Sequence, residues 1–133
     1  MGDSPTAALP TANEVGGWSG YGVDDAGGAS AGEVHGFFFD AAAGAPTWLV
    51  VKQGRRGAML VAVPLRDCAA AGGRVWVAHP RETIRGAPVV DPTRPLLREH
   101  ELTICAHYGV GERVGRAAEV VARPEGSVTS QPG

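Results

Sequence analysis

The sequence predicts a mainly β domain, a small antiparallel β-barrel with a short C-terminal helix. Three observations predict it. Short runs of β-branched and aromatic residues recur between Trp18 and Val77, each bounded by a glycine- or proline-containing turn. The 20 glycines and 10 prolines among 133 residues interrupt the chain too often for long helices. Only residues 96–109 carry sustained helical spacing that ends on a glycine.

The composition bounds the class. Apolar residues make up 44% and charged residues 20%, which fits one globular core. A formal charge of -2 gives no electrostatic footprint for nucleic acid or an anionic membrane. Lys52 is the only lysine among 12 basic residues, a bias that follows from GC-rich bacterial coding and requires no physical role. No apolar run approaches the roughly 18 residues that span a bilayer, so no integral membrane segment is expected. Cys68 and Cys105 match no CxxC spacing and follow no secretory signal, which points to reduced thiols and a cytoplasmic setting.

The elements follow in order. Residues 1–15 lack periodicity and read as a flexible leader, with the folded domain over 16–110. "GGWSGYGVDD" supplies a first strand anchored by Trp18, and "DAGGASAG" a hairpin loop. "GEVHGFFFD" suits a pleated surface through Val34 and Phe37 to Phe39. "TWLVVKQ", "GRRG" and "AMLVAVPL" form the clearest hairpin. In its second arm Met59, Val61 and Val63 alternate with Leu60, Ala62 and Pro64, so both faces are apolar enough for a barrel wall. Pro64 marks that strand's end or an edge. "RDCAAAGG" reads as a turn, and "RVWVA" as a strand in which Val75 and Val77 oppose Arg74 and Trp76.

Four prolines between residues 80 and 95 make "HPRETIRGAPVVDPTRP" an irregular crossing with one short helical turn at Arg81 to Ile84. "LLREHELTICAHYG" is the convincing helix: Leu102, Cys105 and Tyr108 recur every three residues, Ile104 lies beside them, and Gly109 ends it. Residues 111–133 read as a partly disordered extension.

Reactive residue types cluster in "TICAHYGV", yet no catalytic site is expected there. Cys105 lies near a helix C-terminus, where the dipole disfavours a thiolate, and side chains two apart on a helix diverge. Cys105 therefore reads as packed, and His107 as satisfying carbonyls at the helix end. A metal set of His100, Cys105 and His107 lacks the i, i+4 chelating pair, so no metal or other cofactor is expected. The glycine runs have neither GxxxxGK[ST] nor a strand-following GxGxxG spacing. Asp24, Asp25, Glu33 and Asp40 flank one hairpin without a spacing that selects a carboxylate pair. Arg55 and Arg56, at a predicted hairpin tip, are the candidate partner contacts.

Taken in order, "GASAGEVHGFFFD", "PTWLVVKQG", "MLVAVPL", "GRVWVA", "IRGAPVVDP" and "ICAHYG" resemble the PRC-barrel family. This is the small barrel of the photosynthetic reaction centre H subunit and of ribosome maturation factors. The resemblance covers about residues 16–110. It assigns structural positions to Gly32 and Val34, to Pro64, and to Ile104, His107, Tyr108 and Gly109. The glycine-rich first strand and Cys105 depart from the family's usual residues.

The resemblance implies a docking barrel and no established active site. The expectation is a non-enzymatic protein-interaction or adaptor module that binds a protein partner or a second copy of itself, with a homodimer included. The alternative is a small-ligand- or metal-binding barrel that uses Arg55, Arg56 or the histidines, with weak enzymatic activity.

Overall fold

The structure, a computed structural model, describes residues 11–40, 44–54, 59–110 and 119–121. Strands form where the β-branched and aromatic runs predict them: β1 (Gly22–Asp24), β2 (Ser30–Asp40), β3 (Pro46–Gln53) and β4 (Met59–Pro64). A single 3-10 turn at Leu65–Asp67 leads into β5 (Cys68–Ala71), and β6 (Arg74–Val77) follows. The fold is mainly β. Val61 to Pro64 are buried on both faces of β4, as the doubly apolar pattern requires, and β6 alternates exposed and buried residues.

The main sheet has the order β4-β3-β2-β1-β6-β5. β2 holds its centre, pairing antiparallel with β1 through its first half and with β3 along most of its length. Two short strands lie off this path: β7 (Leu96–Leu97) pairs with β8 (Glu119–Val121), whose backbone also pairs with Phe39 and Asp40 of β2. Residues 119–121 thus belong to the sheet, inside the stretch read from sequence as an extension.

Two expectations are corrected by this topology. The sheet is not wholly antiparallel, because β1 and β6 run parallel, with Val23 opposite Val75. Each hairpin reverses the chain, but the turn at Leu65–Asp67 carries it from β4 into β5 without reversal, so β6 arrives beside β1 with matching direction. The sheet also has two ends, β4 and β5, with no ladder joining them among the described residues. Furthermore, "RDCAAAGG" is not merely a turn. Its alanines pair with β6 across a two-residue loop in which Gly72 and Gly73 have φ of 58° and 79°. A turn of this hand matches strand twist and requires positive φ at both positions.

Three helices among the described residues each bury at least one side chain. α1 (Ala12–Val15) begins at Thr11, whose hydroxyl accepts from the Glu14 N–H while the Glu14 carboxylate accepts from the Thr11 N–H. Val15 is buried in the core, so ordered structure starts inside the segment read as a leader. α2 (Arg81–Arg85) is the expected short turn, with Ile84 buried.

α3 (Arg98–Tyr108) ends at Gly109 in the left-handed region, φ 71°, where the Val110 N–H returns to the Cys105 carbonyl. Its buried face is Glu101, Ile104, Cys105 and Tyr108. The expected stripe holds at Ile104, Cys105 and Tyr108 and fails at Leu102, which is 44% exposed while its neighbour Glu101 is only 2% exposed. A partner explains the inward Glu101: the indole N–H of Trp48 donates to Glu101 Oε1 at 2.8 Å, which offsets burial of the carboxylate. Among the described residues, no helix is long and apolar enough to cross a membrane.

Candidate functional site at the sheet edges

A sheet end exposes backbone N–H and C=O groups on alternate residues, and these must bond to something. On β4 the outward carbonyls belong to Leu60, Ala62 and Pro64, and each has a different partner. The Val90 N–H donates to Leu60 O at 2.8 Å. The Tyr108 hydroxyl donates to Ala62 O at 2.8 Å, and the Cys68 thiol to Pro64 O at 3.4 Å. An isolated antiparallel bridge, Val61 to Val89, completes the cover. The crossing segment, α3 and the first residue of β5 therefore seal β4 without a paired strand.

The arrangement gives Tyr108, His107 and Cys68 bonding partners in the frame. Tyr108 is buried, and burial, with the nearby Cys68 sulfur as a second cause, pushes its phenol above the ordinary value of 10.0. It stays a neutral donor. Burial first, and the neighbouring Asp67 carboxylate second, push the Cys68 thiol above its ordinary 9.0, so Cys68 is not a thiolate nucleophile. His107 does satisfy a carbonyl, but one on α2: its Nε2 lies 2.7 Å from Thr83 O, tying the last turn of α3 to α2. Cys105 is buried, and Ile104 packs in the core beside it. Neither cysteine is in a disulfide.

The acids are committed to the frame in the same way. Asp24 holds Arg74 through paired hydrogen bonds of 2.6 and 2.8 Å, and that guanidinium keeps its carboxyl below the usual range. Asp25 accepts from the N–H groups of Ala29 and Arg81, both at 2.7 Å, and of Gly27 at 2.9 Å. These bonds depress its pKa and clamp the β1–β2 loop to the start of α2. Glu33 faces Lys52 at 3.9 Å on the surface, and Asp40 is buried at the end of β2.

The β5 end is different. Among the described residues it pairs only with β6, and its residues Cys68, Ala69, Ala70 and Ala71 include no charge and no proline. Ala69 and Ala71 are exposed, and Trp76, opposite Ala69 on β6, is 41% exposed. An open groove of about 550 Å3 runs along this face, lined by Asp25, Arg66, Asp67, Cys68, Ala69 and Trp76 among others. Of this lining, Asp67 bonds to His79, whose Nε2 lies 2.7 Å from Asp67 Oδ2 and whose ring lies 4.8 Å from that of Tyr108.

The structure therefore brings together a set the sequence did not single out: β5, Trp76 and the Asp67–His79 pair. The one sequence signal for it was the two-residue Gly72–Gly73 loop, which marks a hairpin and hence a strand before it. Arg55 and Arg56 lie outside the described residues. Gly32 does hold a constrained position: at φ 137°, a Cβ there would collide with the Lys52 carbonyl and approach Val51 Cγ1 to 2.9 Å. Val34 is buried, and Pro64 ends β4. His100 sits on the exposed side of α3, receiving the Leu97 N–H at 3.4 Å, and is not gathered with His107 and Cys105. Among the described residues, no group of three or more His, Cys, Asp or Glu is placed to hold a metal ion.

No protein-family model and no curated protein matches this chain.

Proposed function

We propose that the chain is a non-enzymatic protein-interaction module of the PRC-barrel type, which takes a partner strand on its β5 edge. The observation that carries this reading is the contrast between the two ends of the sheet: β4 is sealed carbonyl by carbonyl, and β5, beside a half-exposed tryptophan, has no outer partner among the described residues. Edge addition is a common way for small β domains to bind peptides, with backbone bonds giving affinity and neighbouring side chains giving selectivity. The titratable groups support it too, since Asp24, Asp25, Tyr108, Cys68 and His107 each bond to backbone or to a structural ion pair. Side-chain sealing at β4, together with the unreversed corner into β5, supports a barrel-like closure in which hydrogen-bonding side chains replace a last ladder. The free thiols support a reducing, cytoplasmic setting, and the charge of -2 supports a protein partner over nucleic acid.

The test is affinity capture from native lysate with the wild type and with Ala69→Lys/Ala71→Lys, which places two charges on the exposed face of β5. Edge docking predicts a stoichiometric partner that the double variant loses at unchanged melting temperature. Equal capture by both proteins overturns it.

A second reading has one observation in its favour, the hydrogen bond between the groove-lining Asp67 and His79. A ligand held there raises the melting temperature in a dose-dependent way, and Asp67→Asn removes the shift.

A further inference from the structure

Resting on that reading of the β5 edge, we infer that its occupant is a second copy of this chain, paired strand to strand about a two-fold axis through Ala70.

Hydrogen-bond direction fixes which backbone groups the β5 edge presents. Cys68 stands opposite Val77 in the β5–β6 ladder, so Asp67 stands opposite Ala78, and the Ala78 N–H donates to Asp67 O at 2.9 Å. In an antiparallel pair, hydrogen-bonded positions recur every second residue. The backbone groups of Asp67, Ala69 and Ala71 therefore turn toward β6, and those of Cys68 and Ala70 turn outward. The Cys68 N–H is already taken by Leu65 O in the 3-10 turn. What the free edge offers is thus the Cys68 carbonyl, both groups of Ala70, and the N–H of Gly72.

This set is self-complementary. With Ala70 opposite the partner's Ala70, the two residues exchange both of their hydrogen bonds. The same register sets Cys68 opposite the partner's Gly72, so the outward Cys68 carbonyl meets the one N–H positioned to reach it, and the symmetric bond forms on the other side. The missing Cys68 donor, which would leave a gap against an arbitrary strand of ordinary donors and acceptors, falls at the turn where pairing ends. An antiparallel C2 pairing of one edge with itself also needs no second surface.

The side chains agree with the register. Ala69 lies opposite the partner's Ala71 on the outward face, where small uncharged groups meet without repulsion. Trp76 flanks this row from β6. The other sheet end cannot do the same, because the outward carbonyls of β4 are taken by Val90, Tyr108 and Cys68. Arg74, at the far end of the hairpin, is neutralised by Asp24 and does not oppose the approach of a second copy. A four-residue edge covers less area than a standard interface, so the dimer is weak, with a Kd on the order of 100 µM.

Sedimentation velocity over a concentration series up to roughly 1 mM tests the proposal with the full chain. Three proteins are compared: wild type, Ala69→Lys/Ala71→Lys and Ala69→Lys/Ala71→Glu. The stated register puts lysine against lysine twice in the first variant, and lysine against glutamate twice in the second. The expected result is a concentration-dependent wild-type dimer, at least about 10-fold weaker association in the Lys/Lys variant, and association close to wild type in the Lys/Glu variant, with all three melting at similar temperature. A wild type that stays monomeric overturns the inference, as does a Lys/Lys variant that dimerises normally. Loss of the Lys/Glu dimer along with the Lys/Lys dimer overturns the register. A monomeric wild type whose lysate partner is lost in the Lys/Lys variant assigns the edge to a different protein, which defeats self-pairing and leaves the interaction module standing. Insensitivity in both experiments defeats the two readings together.

Discussion

Replacing Tyr108 with phenylalanine removes one oxygen and tests how the β4 edge is sealed. The ring stays, so buried apolar area is nearly unchanged, and the loss is confined to the 2.8 Å bond from the phenol to Ala62 O. A typical bond contributes about 1 kcal/mol net, and a buried acceptor left without a partner raises the cost toward 3. The Ala62 carbonyl lies on a sheet edge under α3, an intermediate case, so Tyr108→Phe should destabilise by about 1–2 kcal/mol. Urea unfolding reads this as a midpoint about 0.5–1.5 M lower at unchanged slope. The pH dependence adds a second arm. Burial holds the Tyr108 phenol above its ordinary 10.0, so above that pH the unfolded chain binds fewer protons than the folded one. The Tyr108 contribution is therefore complete below about pH 10 and falls as pH rises toward the folded value, and the gap between wild type and variant should narrow over pH 9–11. A variant within about 0.3 kcal/mol of wild type at neutral pH would refute the reasoning, because it would mean that Ala62 O needs no side-chain donor.

Four further outcomes follow from the same geometry. Trp48→Phe deprives the buried Glu101 carboxylate of its indole donor and should cost about 2 kcal/mol in chemical denaturation. Gly32→Ala forces a Cβ into the Lys52 carbonyl at positive φ and should cost at least about 2–3 kcal/mol, with a correspondingly lower melting temperature. Asp24 and Asp25 both titrate below their ordinary 3.8, so their contribution is present above that pH and is lost as pH falls through the lower folded values. Acid unfolding of Asp25→Asn should accordingly show a shallower loss of stability below about pH 4 than wild type does. Cys105→Ala should cost about 1 kcal/mol and leave association through β5 unchanged, whereas a loss of binding at equal stability would give Cys105 a functional role.

Much of the frame was legible in the residues. β2, β3, β4 and β6 lie where β-branched and aromatic runs alternate between turn residues, and α3 stops at Gly109 because only glycine enters the left-handed region without strain. The divergence of Cys105 and His107 on one helix is also a matter of local geometry.

What the sequence determined by itself, then, is periodicity: which segments pleat, which coil, and where glycine or proline ends them. Three further things depend on groups far apart in the chain. β5 exists because Val75 and its neighbours give three alanines a pairing partner, although alanine has little intrinsic preference for a strand. Glu101 turns inward in place of Leu102 because Trp48, 53 positions away, offers it a proton. The outward carbonyls of β4 find Val90, Tyr108 and Cys68, which leaves β5 as the bare edge. Hydrogen bonds between distant segments carry no local pattern, so the tertiary structure alone decides which edge is sealed and which is left open among the described residues.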